Sequence, residues 1–268
     1  MEAEEIIERA VQAVNDDGGL RPFGQGASNA WHYMTDQVRT EGLFGGSAGP
    51  GKSFFGCAFE AWAAMRYPGT RGIILRHTYS DLLESTMQTF HEVLAKMRLR
   101  PGQDYWFKSQ TNTIYWAGGS TTRFDYLSPD PKDPEYRRLS SRAYTRAFCD
   151  EADQLEEAGV EALAGRLRYR LTHYCHACAA QHMAVRSEPV DCDDNGLPLQ
   201  WACYNCGAWT YGLLPKLLLT GNPGPWWTRK RYVCNDDGTP VELKPHQFRV
   251  LVTLDDNPDK AHVAAYRQ

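Results

Sequence analysis

Apolar positions recur at helical spacing near the start of the chain, where Ile6, Ile7, Ala10, Val11 and Val14 predict an amphipathic helix over about 2–14. A looser stretch follows, NDDGGLRPFGQGASNAW, and predicts no regular element. From residue 41 short apolar runs alternate with helical periodicity. GLF predicts a strand, residues 52–66 a helix and GIILRHT a second strand. SDLLESTMQTFHEVLAKM predicts a longer helix over about 79–98 that opens on Ser80 as its cap. DYWFKSQTNTIYWAGGSTTRFDYL alternates polar and apolar residues across two turn signals and predicts antiparallel strands. DPKDPEYRRL predicts a loop with one helical turn, TRAFCDEA a buried strand ending in acids, and about 155–167 a helix. Residues 171–211 break the pattern, being rich in Cys, His, Trp and turn formers. The alternation resumes with KLLLTGNPG, a further helix, the strand FRVLVTL and a helix-like tail.

Strands alternating with helices predict an α/β fold, a doubly wound and mostly parallel sheet that binds ligands at the carboxyl ends of its strands. The length, 268 residues, allows one large domain or one domain plus a small one. The pattern divides it into a helical and loop segment (1–40), a core domain (41–254), an insertion within that domain (171–211) and the start of a linker (255–268). No apolar run approaches the ~20 residues of a membrane span. The acidic start, MEAEEIIERA, is unlike a signal peptide, so an intracellular protein with no membrane partner is expected. The net charge of -4 argues against a surface coated in cations but leaves room for a local nucleic-acid patch.

GGSAGPGKS lies between the first strand and the first core helix. Its Gly46-x-x-x-x-Gly51-Lys52-Ser53 spacing fits the Walker A pattern. Glycines let backbone N–H groups approach phosphate oxygens and take positive φ without strain. The pattern gives Gly46, Ser47, Ala48, Gly49, Pro50 and Gly51 to the phosphate cradle, Lys52 to the β/γ-phosphates and Ser53 to Mg²⁺. The following helix points its positive end at the anion. The bland alternative is a glycine-rich turn with a chance Lys-Ser. In AFCDEAD an apolar strand ends in Asp150-Glu151: Asp150 is placed to hold the magnesium ion, and Glu151 to orient and deprotonate the attacking water. Two acids at a helix start, favoured by its dipole, are the competing reading. No guanine-reading NKxD motif follows, so ATP is the expected nucleotide. A third strand ends in Thr220-Gly221-Asn222-Pro223, a polar cluster suited to sensing the γ-phosphate.

Together, GGSAGPGKS, GIILRHTYSDL, AFCDEADQL and TGNPGPWW, in that order, resemble the large terminase subunit of tailed bacteriophages, the ATPase that packages DNA into a preformed capsid. The closing VTLDDNPD resembles the stretch with which that family leaves its ATPase domain, and the likeness runs over about 40–260. The resemblance implies an additional-strand, RecA-like P-loop NTPase core. Lys52 and Ser53 match the Walker A residues, Asp150 the magnesium aspartate, Glu151 the catalytic glutamate, and Thr220 to Pro223, including Asn222, the coupling motif. It further implies a motor that hydrolyses ATP to drive double-stranded DNA into a procapsid in the cytoplasm of the infected host bacterium. The implied partners are the portal protein, the small terminase subunit and further copies of the chain in a ring. An arginine then completes a neighbour's site; Arg137, Arg138 and Arg142 are candidates, with Arg142 first. An adenine contact upstream is also implied, for which Gln25 is a possible match. Family members carry a C-terminal nuclease domain, which this chain would only begin. Asp255, Asp256 and Asp259 read as loop and cap residues and not as a two-metal centre, so nuclease activity is not expected.

Cys175-x-x-Cys178 and Cys203-x-x-Cys206 are separated by 24 residues. Two such turns present four thiolates to one tetrahedral Zn²⁺, and predict a small zinc-ribbon-like module with a structural metal. His173, His176, His182 and Cys192 read better as surface or packing residues, and a pair of disulfides is the other alternative. PWWTRKRY and RLRYR interleave cations with aromatics; they grip phosphates or form a charged helix face over buried tryptophans. Two rival functions remain from the residues alone. One is another nucleic-acid-dependent P-loop ATPase of helicase or remodeller type, although no second set of motor motifs follows residue 223. The other is a zinc-ribbon nucleic-acid-binding module that keeps its P-loop for structure.

Overall fold

The structure is a computed structural model that describes residues 24–36, 38–47, 49, 51–67, 69–129, 133, 135–168, 214–224 and 227–256, with the backbone of four short strands between 172 and 210. The predicted helix at 2–14, the helix-like tail, and Ala48 and Pro50 of the glycine loop lie outside the described residues.

The first element is a helix where none was predicted, α1 (Gly24–Thr35). Gly24 and Gly26 weaken its local propensity, but Ala27, Ala30 and Met34 are buried, and packing decides the conformation. Gly26 itself is a close approach: a Cβ there would meet Val252 Cγ1 at 2.3 Å. β1 (Glu41–Gly46), α2 (Lys52–Arg66) and β2 (Arg71–Arg76) then follow as the pattern predicts.

The long helix predicted at about 79–98 is divided. A single turn, Tyr79–Asp81, is capped by the Thr78 side chain, which accepts from the Asp81 N–H, so Ser80 is not the cap. A π-helical turn, Leu82–Thr86, leads into α3 (Met87–Lys96). β3 (Tyr105–Lys108), β4 (Thr113–Trp116) and β5 (Thr121–Tyr126) are consecutive antiparallel partners, but β5 also pairs in parallel with β2. After the single turn α4 (Arg137–Ser140), β6 (Arg146–Cys149) ends before the acids, which occupy the turn beyond it. The helix expected over 155–167 is the shorter α5 (Glu157–Ala164). Ala152–Gln154 forms a 3₁₀ turn, and Leu155 is extended and buried, which delays the helix start. In the insertion, β7 (Thr172–Tyr174) pairs with β8 (Gln181–Met183), and β9 (Trp201–Ala202) with β10 (Trp209–Thr210). β11 (Lys216–Gly221), α6 (Trp227–Tyr232) and β12 (Gln247–Val252) complete the described chain.

Among the described residues the main sheet has eight strands in the order β12-β1-β11-β6-β2-β5-β4-β3. The first six are parallel and the last two form the antiparallel extension. α1, α2 and α3 cover one face, where Phe55, Phe59, Trp62 and Phe90 meet Ile74, Phe124, Phe148 and Leu218. On the other face Val160, Leu163 and Tyr232 meet Leu43, Ile73, Ala147 and Leu219. Strands covered on both faces read as continuous apolar runs, which is why KLLLTG and RAFC are legible.

Two buried cations fix the layers. Arg146 of β6 makes a two-point ion pair with Glu60 of α2, Nε to Oε2 and Nη2 to Oε1, both at 2.9 Å. Thr122 adds a hydrogen bond to Glu60 Oε1 at 2.9 Å, and Arg146 donates to the Thr70 hydroxyl. Gly72 leaves the space, since a Cβ there would meet Glu60 Oε1 at 1.7 Å. Lys216, fully buried at the start of β11, donates to the carbonyls of Asp36 and Arg39 and so ties the segment after α1 to that strand. Burial lowers its pKa to about 8. The chain ends of α6 are tied as well. Arg231 pairs with Glu41, Glu157 and Glu161, and the Trp227 indole donates to the Leu155 carbonyl at 2.8 Å. The PWWTRKRY stretch is therefore, at these residues, a packed helix face.

Candidate nucleotide site

β1 and β6, the strands that precede the glycine loop and the acids, are not neighbours. β11 lies between them and pairs in parallel with both, Leu219 standing beside Leu43 on one side and Cys149 on the other. The expected additional strand is thus present. It delivers Thr220, Gly221 and Asn222 between the other two motifs at the same rim.

The loop is shaped by its glycines. Gly46, Gly49 and Gly51 have φ of +135°, +89° and +82°. At Gly46 a Cβ would stand 1.8 Å from the Val252 carbonyl oxygen, and that oxygen accepts from the Ser47 N–H at 3.1 Å. Only glycine fits there. Helix α2 starts directly after Gly51, and no side chain caps it. An uncapped helix start with its dipole aimed at a glycine loop is a ready anion site.

Lys52 turns back into the loop. Its ammonium donates to the carbonyls of Gly46 and Ser47 and, at 2.9 Å, to Asn222 Oδ1. The Asn222 N–H in turn donates to Asp153 Oδ1 at 3.1 Å. Ser53 donates to Asp150 Oδ1 at 2.9 Å, and Thr220 to the same oxygen at 2.8 Å. Asp150 is 1 % exposed. The Ser53 hydroxyl and the Asp150 carboxylate are hard oxygen donors brought together at the start of a helix, the donor chemistry Mg²⁺ takes, so these residues fit that ion. Glu151 has φ of +52°, a left-handed conformation that costs a non-glycine residue energy and recurs at functional sites. Its Oε2 accepts from Gln154 Nε2 at 2.6 Å and is paired with Arg76 Nη2 at 2.6 Å.

Lys52, Ser53, Asp150, Glu151, Thr220 and Asn222 therefore lie in one network of two bonded groups, one around Lys52 and Asn222 and one around the two acids, which adjoin through the backbone at Lys52–Ser53 and Thr220–Asn222. Three members of the network were not read from the sequence. Arg76 ends β2 beside both acids, 3.8 Å from Asp150 Oδ2. Its signal was a cation closing an apolar strand, in GIILRHT. Thr86 donates to Asp150 Oδ2 at 2.7 Å, from a position a simple helical reading does not single out. Asp153 is the last acid of DEAD, and a Cβ at Gly221 would meet its Oδ1 at 2.2 Å.

The candidate arginines do not join this network. Arg138 donates to the Tyr126 carbonyl at 2.6 Å and stacks 4.2 Å over that ring, and Arg137 pairs with Glu135 at 2.8 Å. Arg142 lies in the connection from α4 to the start of β6, beside Tyr144, ahead of the strand whose far end carries Asp150. Gln25 bonds Asn29 on α1; its neighbour Gly26 abuts Val252, which in turn abuts Gly46, so that end of α1 stands near the loop. Asp256 accepts from the N–H and hydroxyl of Thr253, a capping role. Asp259 and the four zinc candidates, Cys175, Cys178, Cys203 and Cys206, lie outside the described residues. Cys57 and Cys149 are free and buried, and burial raises both thiols well above their ordinary pKa.

Burial pulls the Lys52 ammonium down to about 8, against Asp153, Asp150 and Glu151, which favour its charged form. A polyphosphate binds the protonated amine. Metal-free ATP affinity should then be flat at neutral pH and fall as pH rises through about 8, by roughly tenfold per unit. A fluorescent-nucleotide titration at several pH values reads this; constant affinity up to about two units higher would show that the ammonium meeting the phosphate does not titrate near 8.

Fold and site together define an α/β domain whose mostly parallel sheet brings the glycine loop, the acid pair and Thr220–Asn222 to one rim. Among solved structures the chain is similar to the large terminase from a thermophilic bacteriophage, with a TM-score of 0.55 at 15 % identity over 92 % of this chain and 50 % of that one. The same terminase in complex with ADP aligns at a TM-score of 0.56 and 16 % identity, with 92 % and 50 % covered. The large terminase ATPase domain of Thermus phage P74-26 also matches, at a TM-score of 0.48 and 16 % identity over 89 % of this chain and 85 % of that one. No protein-family model matches the chain, and no curated protein does. At these identities the likeness to the first terminase, free and with ADP, establishes a shared fold, and the chain spans about half of its length.

Proposed function

We propose that this chain is the ATP-hydrolysing motor portion of a large terminase, moving double-stranded DNA into a procapsid. The observation that carries the reading is the convergence of three sequence-distant motifs: Lys52 on Asn222, and Ser53 and Thr220 on one oxygen of Asp150. A terminase of similar fold whose structure is a complex with ADP supports an adenine nucleotide as the ligand.

In this reading the loop amides and Lys52 bind and orient the β/γ-phosphates. Ser53 and Asp150 would hold magnesium, which when bound would neutralise charge on the phosphate oxygens. Glu151 aligns the attacking water and takes its proton, and this requires its carboxylate to leave the Gln154 and Arg76 donors or share them with the water. Asn222, bonded to Lys52 on one side and Asp153 on the other, is placed to pass the state of the phosphates to β11 and the acid turn. The exposed Arg142 serves a neighbouring copy in a ring, together with the portal protein and small terminase subunit as partners. The site of action is the host bacterial cytoplasm; among the described residues no helix is long and apolar enough to cross a membrane.

The test is ATP turnover by the chain with and without duplex DNA, for wild type and for Lys52→Ala. The reading expects DNA binding that is independent of sequence and falls steeply with salt, and hydrolysis lost in the variant. Turnover within about threefold of wild type in Lys52→Ala would overturn it.

For the insertion we propose a structural zinc held by Cys175, Cys178, Cys203 and Cys206. Each Cys-x-x-Cys falls, in sequence, between the two strands of a pair, β7 with β8 and β9 with β10, the arrangement a zinc ribbon uses. About one equivalent of zinc should be released by a thiol-modifying mercurial, and none by the Cys175→Ser/Cys203→Ser double variant. Metal-free wild-type protein from zinc-supplemented growth would refute this.

A further inference from the structure

Among the groups around Asp150, Thr86 belongs to none of the three motifs. It is fully buried, and its hydroxyl donates to Asp150 Oδ2 at 2.7 Å while accepting from Arg76 Nη1 at 3.3 Å. The other carboxylate oxygen is taken by Ser53 and Thr220. The three hydroxyls come from three separate elements, and they engage both oxygens.

The way Thr86 gets there is unusual. It closes the π-helical turn Leu82–Thr86, where the Met87 N–H reaches back to the Leu82 carbonyl. Such turns are rare and concentrate at functional sites. The turn is anchored at its end by Cys57 of α2, whose thiol donates to the Thr86 carbonyl at 3.7 Å. Around it the helix presents Leu82, Met87 and Phe90 to the core. Packing alone would be served by valine, which has the same shape and no donor. The hydroxyl answers only to Asp150 and Arg76.

We propose that Thr86 is a positioning residue for the magnesium site. Resting on the nucleotide-site reading above, it assigns Thr86 the task of fixing the Asp150 carboxylate through the oxygen that Ser53 does not touch. A terminal carboxylate torsion is broad and weakly restrained. A hydroxyl carries one donor hydrogen and two lone pairs, so Ser53 would face the metal through a lone pair while still donating to Oδ1. The Thr86 bond to Oδ2 stays compatible with metal and holds the carboxylate in place. Partners that orient a metal ligand in this way typically raise metal affinity about 10–100-fold.

The experiment measures Mn²⁺ binding by electron paramagnetic resonance, using the full chain with a non-hydrolysable ATP analogue. Wild type is compared with Thr86→Val, Thr86→Ala and Thr86→Ser. Mn²⁺ affinity should fall about 10–100-fold in the Val and Ala variants and return to within about threefold in Thr86→Ser, which keeps the hydroxyl. Affinity for the analogue without metal should change less than about twofold in all of them. Equal Mn²⁺ affinity in wild type and the hydroxyl-free variants would overturn the proposal. So would a Thr86→Ser variant as weak as Thr86→Ala, which would make the methyl group the important part; this comparison decides the matter even if Thr86→Val does not fold. Wild type that binds the analogue alone but no Mn²⁺ would instead remove the magnesium site itself.

Discussion

Glu151→Gln should lower ATP turnover by about 10²–10⁴-fold, the range typical for loss of a positioned general base, while nucleotide affinity changes less than about threefold. Glutamine has nearly the same shape and keeps an oxygen for Arg76, which lies 2.6 Å from the carboxylate. Asp150, Ser53 and Lys52 are untouched, so the binding groups remain. What is lost is the ability to accept a proton from water. The left-handed backbone at residue 151 sharpens the expectation, because a strained conformation held beside the buried Asp150 implies that the direction of this side chain matters. Turnover and analogue binding, measured on the same preparation, separate the two effects. A variant that loses binding in parallel with turnover would place Glu151 in the ground-state contacts instead.

Arg146→Met should destabilise the fold by about 3–5 kcal/mol, the usual result of removing one partner from a buried ion pair. Both side chains are 1 % exposed, and the pair is two-pointed. Without Arg146, Glu60 keeps only the Thr122 hydroxyl in a dry layer. At roughly 2–4 °C per kcal/mol for a domain of this size, the melting temperature should fall by about 6–20 °C. Glu60→Met combined with Arg146→Met should recover most of that loss, since the cost lies in the unpaired charge and not in the absence of the pair. The pair also has a place in the site's architecture. α2 begins at Lys52 and β6 ends next to Asp150, so Glu60 and Arg146 clamp the helix that follows the glycine loop to the strand that precedes the acid pair. A double variant that regains stability but binds nucleotide less tightly would locate that second role. If the single substitution leaves the melting temperature within about 2 °C, the electrostatic account of this layer is wrong.

The sequence was most informative where local pattern and tertiary role coincide. β1, α2, β2, β6, β11 and β12 are strands and helices buried on one or both faces, and their apolar runs predict them. The glycine loop is legible because its glycines are imposed by geometry that no other residue satisfies, as at Gly46 against Val252. The acid pair is legible because it follows such a strand, and Thr220–Asn222 because it closes one. What pattern could not show is contact across long separations. α1 was hidden by Gly24 and Gly26, which lower helix propensity while Gly26 permits the approach to Val252. The π turn has no sequence signature, so Thr86 was read as one polar residue on a helix. Arg76 and Asp153 became recognisable only when β2, β6 and β11 were placed side by side. The same limit applies to a trans-acting arginine: an exposed Arg142 looks the same in sequence whether or not a neighbour uses it.

Equilibrium binding of MgATP, as a fluorescent non-hydrolysable analogue, to wild type, Lys52→Ala and Asp150→Asn most directly tests whether these motifs form a nucleotide site. Loss of a charge-assisted contact to phosphate should weaken binding by about 10–100-fold in Lys52→Ala, and Asp150→Asn should lose only the magnesium-dependent part of the affinity. Binding by both variants as tight as wild type, with the same magnesium dependence, would contradict the claim that the triphosphate and its metal sit between the glycine loop and the acid turn.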